Sequence, residues 1–173
     1  MIGVPRSGDT PQSRCEFYRT TCQLPTVVDP DSGLITMQAG PVWGVMMPAA
    51  LGQAVKVDLE QRRLGGGPIV SHPRSSTWTF LTRSDISQKL LDDTAAQLFR
   101  HGVTVIGTGG EIRLPSPSAS PNSVRYWVSP AQGPLRPSGV VVVEAVRART
   151  ARSRQQLTQA KCGGSTGTQQ HLQ

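Results

Sequence analysis

The run Val42–Met47 (VWGVMM) is the segment that most narrows what this chain can become: it is continuously apolar, of strand length, and closed by Pro48, a residue that suits the first turn of a helix. Ala50, Leu51, Ala54, Val55 and Leu59 follow at three- and four-residue steps until Gly65, Gly66 and Gly67 break the pattern. Strand followed by amphipathic helix is the expected order, and short strand and helix signals go on alternating with no internal repeat. An α+β fold follows. With 173 residues, 36% of them apolar, the chain suits a single domain. Its longest mostly apolar stretch, residues 40–52, contains Pro41 and Pro48 and falls short of the ~20 residues that cross a bilayer, and residues 1–10 hold no apolar leader. No membrane segment and a cytoplasmic location are expected.

Local signals divide the chain further. Residues 1–12 and 163–173 carry no periodic apolar pattern, so tails are expected at 1–12 and 151–173 around a domain at 13–150. Residues 14–23 (RCEFYRTTCQ) predict a short helix, with Cys15 and Cys22 returning to one face. Thr26–Val28 and Leu34–Gln38 flank the turn-rich DPDSG segment and predict a hairpin. Pro68–Ser71 and Thr77–Thr82 predict another strand pair. A helix capped by Ser84 or Asp85 should bury Leu90, Leu91, Ala95, Leu98 and Phe99 and end at Gly102. Val103–Ile106 and Glu111–Leu114 flank GTGG and predict a second hairpin. After a Pro/Ser loop at 115–123, Val124–Val128 reads as a strand. The final element, from Val140, has strand propensity, yet Val142, Ala145, Val146 and Arg149 fit a helix capped by Ser138.

Charge is unevenly placed. Residues 1–146 hold 13 basic against 11 acidic residues, whereas 147–173 hold five basic residues (Arg147, Arg149, Arg152, Arg154 and Lys161) and no acid, so the body is +2 and the end +5. Fifteen of the 18 basic residues are arginine, whose planar fork suits phosphate. Nucleic acid is therefore a candidate partner. A basic end that only confers solubility is the competing explanation.

Catalytic and cofactor motifs are sparse. His72, His101 and His171 stand alone, without HExxH or HxH spacing, and structural roles are expected for His72 and His101. Gly65–Gly67 lacks a following GK[ST], GTGG lacks dinucleotide-binding spacing, and Asp92 and Asp93 are about 100° apart on a helix. Cys15, Cys22 and Cys162 lack CxxC pairing and read as reduced thiols. No metal, cofactor or catalytic residue is assigned.

At GVTVIGTGGEIRLPSPS (102–118), followed by Arg125, Tyr126 and Trp127, the chain resembles the last block of bifunctional DNA primase/polymerase N-terminal (prim-pol) domains, a branch of the archaeo-eukaryotic primase superfamily. Thr77–Arg83 resembles the strand bearing that family's histidine, and AGPVWGVMMP (39–48) its Gly-Pro turn and the strand ending in an acidic pair. The likeness spans about 26–148, and the chain is similar to small actinobacterial stand-alone relics of the domain. It implies an RRM-like sheet with flanking helices and an ancestry in two-metal nucleotidyl transfer. Carried over residue by residue, the family's Asp-x-Asp falls on Met46, Met47 and Pro48, its histidine on Thr77 and Trp78, its third acid on Thr104 and a neighbouring arginine on Ile106. None of these binds Mg²⁺, which demands oxygen ligands. The alignment requires Met46, Met47, Thr77, Trp78 and Thr104 to face one concave surface; if they scatter, the case against activity lapses.

A catalytically silent prim-pol-like module is thus expected, binding nucleic acid or nucleotide through Arg74, Arg83, Arg113 and Arg125 near the sheet, Tyr126 or Trp127 as a stacking platform, and Arg147, Arg149, Arg152 and Arg154 on phosphates. The alternatives are a protein-interaction module in a replication or transcription complex, and an active primase/polymerase with relocated metal ligands.

Overall fold

A computed structural model describes residues 9–117 and 124–162, with side chains to residue 152. The expected tail residues 1–8 and 163–173, and residues 118–123 of the Pro/Ser loop, lie outside the described residues. The order is α1 (Pro11–Thr20), β1 (Thr26–Val28), β2 (Ile35–Gln38), β3 (Val42–Pro48), α2 (Ala49–Gln61), β4 (Ile69–His72), β5 (Thr77–Arg83), α3 (Gln88–Arg100), β6 (Thr104–Ile106), β7 (Glu111–Leu114), β8 (Tyr126–Ser129) and α4 (Gly139–Cys162). A 3₁₀ turn, Pro73–Ser75, joins β4 to β5. The fold is α+β. Among the described residues no helix is long and apolar enough to cross a membrane.

Two antiparallel sheets form: β1-β2-β7, and β6-β3-β5-β4-β8. The apolar run predicted at Val42–Met47 becomes β3, an interior strand of the larger sheet between β6 and β5, with residues packed on both faces. One face packs Val45, Met47, Ile69 and Phe80 against α2, α3 and α4. The opposite face packs Val42, Val70 and Leu81 against Ile112 and Leu114 of the small sheet and against Cys15 and Tyr18 of α1. Gly44 lies where the sheets approach closest: a Cβ there would come within 2.9 Å of Ile112 Cδ1 and 3.0 Å of Thr79 Cγ2.

Several expectations are corrected. Helix α1 starts at Pro11 because Thr10 and Ser13 form a capping box, so residues 11 and 12 belong to the fold, and Cys22 lies past the helix end. Both thiols are nonetheless buried. Ser87 caps α3, since its side chain accepts from the Leu90 N–H; Asp85 instead accepts from the Gly139 N–H at 2.7 Å and reinforces the start of α4, where the expected cap Ser138 accepts from the Val141 N–H at 3.5 Å. The buried side of α3 is Thr94 and Leu98, while Phe99 is 87% exposed and Ala95 exposed, because α3 covers only the sheet margin. Helix α4 runs on to Cys162 through residues expected as tail.

The expected β6–β7 hairpin does not form. The Gly turn is real, with the Gly110 N–H donating to Gly107 O at 2.9 Å, but Ala39 intercepts it: the Gly109 N–H donates to Ala39 O at 2.9 Å and the Ala39 N–H to Gly110 O at 2.7 Å. The turn thereby passes the chain from one sheet to the other. Strand β6 pairs with β3, and β7 pairs with β2, where Met37 and Ile35 meet Ile112 and Leu114. The hairpin expected at β1–β2 does form, its Asp29 carboxylate accepting from the Asp31 and Ser32 N–H groups at 3.0 and 2.8 Å. The helix chosen at α4 also holds: Val142, Val143, Ala145 and Val146 make a buried stripe, so burial against the sheet outweighs β-branched propensity.

Candidate functional site

Residues directly opposite each other in an antiparallel ladder share a face. In the register Met46↔Thr79, Met46↔Thr104, Gly44↔Ile106 and Pro48↔Thr77, the side chains of Met46, Pro48, Thr77, Thr104 and Ile106 lie on the face that looks toward the small sheet. Met47, opposite Trp78, lies on the other face, where Met47 is fully buried under the helices and Trp78 packs on Gly52 of α2. The five positions that the alignment needed together therefore split three to two. Strand geometry forces that split, because the neighbours Met46–Met47 and Thr77–Trp78 must point opposite ways. The case against activity that rested on all five lapses in that form, and Met47 and Trp78 leave the candidate site.

That inner face carries a recess of ≈ 240 Å³ bounded by Met46, Ile106 and Ile112 on its apolar side and by His72, Ser75, Thr79, Glu111, Arg113 and Arg125 on its polar side. Strands β3 and β6 supply Met46 and Ile106 of its apolar side, and β4, β5, β7, the turn between β4 and β5 and the segment before β8 build its polar side. Strand β5 contributes Thr79, and β4 contributes His72, whose Nε2 is 2.9 Å from Thr79 Oγ1. The turn Pro73–Ser75 brings Ser75, whose hydroxyl is 2.7 Å from Thr77 Oγ1. Strand β7, at the margin of the small sheet, supplies Glu111 and Arg113, and Arg125 enters just before β8. Arg113 Nε donates to Glu111 Oε1 at 2.9 Å, so the recess carboxylate is already engaged.

The electrostatics are those of a cationic site. Burial, seconded by the charge of Arg125, holds the His72 imidazole down to about 4, leaving it neutral near pH 7. Burial and then the charge of Arg113 lower the pKa of Arg125, against the pull of Glu111, yet a guanidinium remains charged. Two fixed cations and two hydroxyls thus surround a neutral imidazole. The arrangement can bind an oxyanion. Among the described residues no three His, Cys, Asp or Glu side chains come together as a metal-ligand set.

The remaining predicted contacts separate. Arg74 is exposed in the 3₁₀ turn beside Ser75. Arg83, at the far end of β5, is 3.3 Å from Asp85 and takes no part in the recess. Tyr126 is 50% exposed, while Trp127 packs inward and donates to Tyr18 OH at 2.9 Å. Arg147 and Arg152 are exposed on α4, across the large sheet from the recess. Arg149 points to Asp58 of α2 at 3.2 Å and is a tie between helices, which removes it from the phosphate contacts. The Arg154 side chain lies outside the described residues. Sequence reasoning missed Ser75, Thr79 and Glu111 and gave His72 only a structural role. Their convergence depends on the β4–β5 register and on β7 joining the other sheet, and no local motif marks either. No family model matches the chain, and no curated protein or solved structure matches it either.

Proposed function

We propose that this chain is a catalytically silent primase/polymerase-like module that binds nucleic acid or nucleotide, with phosphate held in the recess by Arg113 and Arg125. The observation that carries this reading is the convergence of two guanidinium groups on one recess whose carboxylate, Glu111, is already paired. Guanidinium forks match phosphate oxygens in charge and geometry, and Ser75 and Thr79 add hydroxyl donors. The positions that the family resemblance equates with metal ligands and their neighbours, Met46, Pro48, Thr77, Thr104 and Ile106, line or flank the same face without an acidic group. Cationic side chains thus take the place that metal charge would hold in an active relative. Arg74 beside the recess, Tyr126 at its strand edge, and Arg147 and Arg152 on the opposite face extend the surface available to a strand.

The test is binding of a single-stranded dT oligonucleotide followed by anisotropy across a salt series. Two recess contacts on a single strand contribute a slope of about −0.7 × 2, or roughly −1.4, in log K against log salt. The pair Arg113→Ala and Arg125→Ala should remove that part of the slope and weaken binding by more than about tenfold. Affinity and slope unchanged in the double variant would refute the assignment of the recess. Metal-dependent incorporation of nucleotide on a primed template should stay at background; incorporation above it would establish the alternative of an active enzyme. The alternative of a protein-interaction module is tested at Phe99 and Leu135, the two most exposed large apolar side chains among the described residues, each 87% exposed. A protein partner that survives nuclease treatment and is lost in Phe99→Ser or Leu135→Ser would favour it.

A further inference from the structure

We propose that His72 is the proton-linked residue of the recess: a phosphodiester seated against Arg113 and Arg125 draws a proton onto the imidazole, so the ligand binds more tightly as the solution becomes acidic. The inference rests on the recess being the phosphate site. Its basis is geometric. His72 shares the recess with both arginines, and its Nε2 faces Thr79 Oγ1 at 2.9 Å. A hydroxyl can donate to a neutral ring nitrogen or accept from a protonated one, so the Thr79 contact survives the change of charge. The ionisable groups that share the recess with the imidazole are Arg125 before β8 and Glu111 and Arg113 on β7, while Arg74 stands exposed in the adjoining turn. Cations outnumber the one carboxylate, which is engaged by Arg113, so the empty recess disfavours a charged imidazole. A bound anion reverses that balance by neutralising the arginine charge and supplying an acceptor. Linkage requires any ligand that raises a group's affinity for protons to bind better when protons are plentiful.

If the bound phosphodiester returns His72 from about 4 to its ordinary 6.5, affinity gains about twentyfold between pH 7 and pH 5, and binding at pH 6 takes up about three-quarters of a proton. The experiment is calorimetric titration of the full chain with a dT oligonucleotide, whose phosphodiesters do not ionise in this range, at pH 5, 6 and 7. Buffers of different ionisation enthalpy report the protons taken up. His72→Gln, which keeps a side chain able to reach Thr79, should lose both the pH slope and the proton uptake, whatever its affinity at pH 7. Melting curves verify that the variant is folded. Binding that Arg113→Ala and Arg125→Ala weaken but that shows no proton uptake overturns the inference and leaves the phosphate site standing. Proton uptake that persists in His72→Gln overturns it as well. No binding at any pH, or binding indifferent to both arginines, removes the phosphate site and the inference with it.

Discussion

Replacing Asp58 by alanine removes the carboxylate through which α2 and α4 are ion-paired. Its side chain is 7% exposed and meets two arginines: Arg62, one turn along α2, at 2.7 Å, and Arg149 of α4 at 3.2 Å. The pair within α2 has ordinary helical spacing and contributes about 0.3–0.5 kcal/mol. Loss of one partner from a fully buried pair costs about 3–5 kcal/mol, but Arg149 is 26% exposed and can turn toward water, which brings its share to roughly 1–2 kcal/mol. The sum is about 2 kcal/mol, or a fall of about 4–8 °C in Tm for a chain of this size. Thermal unfolding followed by circular dichroism measures it, and a double-mutant cycle of Asp58→Ala with Arg149→Ala should return a coupling of about 1 kcal/mol. Arg62→Ala should cost less than about 0.5 kcal/mol. Melting of Asp58→Ala within about 1 °C of the parent, or a coupling near zero, would refute the idea that this contact fastens α4 to the domain.

Other outcomes are equally specific. Tyr18 OH donates to Pro115 O at 3.0 Å and accepts from Trp127 Nε1 at 2.9 Å, so Tyr18→Phe should strand one buried and one half-buried partner and lower stability by about 1–3 kcal/mol in denaturant unfolding. Gly44→Val should cost upward of about 1–3 kcal/mol, because even its Cβ would meet Ile112 Cδ1 at 2.9 Å and force the two sheets apart. His72 is held near 4 in the folded chain against 6.5 when unfolded, so between those values the unfolded state binds more protons. Stability is then lost as pH falls, by about 2–3 kcal/mol from pH 7 to pH 4, and His72→Gln should flatten that part of the profile.

Local periodicity carried much of this architecture. The Val42–Met47 run with its following helix, the DPDSG hairpin and the β4–β5 pair are written in adjacent residues, since strand and helix periods and turn chemistry act over a few positions. Where neighbours in space are distant in sequence, the same signals mislead. GTGG supplies the freedom to reverse the chain, and Gly109 does take φ 86°, but whether the flanking strands pair depends on what else competes for their edges. Here β3 takes β6 and β2 takes β7. Phe99 looks apolar at a helical step yet stays exposed, because α3 turns Leu90, Leu91, Thr94 and Leu98 toward the core and Phe99 away from it.

The candidate site divides along the same line. Arginine excess and the scarcity of grouped carboxylates and histidines are properties of composition, and they favour an anionic partner whatever the fold. Which arginines meet each other is another matter. Arg113 and Arg125 share a recess because β7 crosses to the small sheet while β8 stays with the large one, and Arg149 is withdrawn by an aspartate 91 positions away. Burial and neighbouring charge then set the protonation of His72, and these are fields summed over contacts that no short stretch of residues contains.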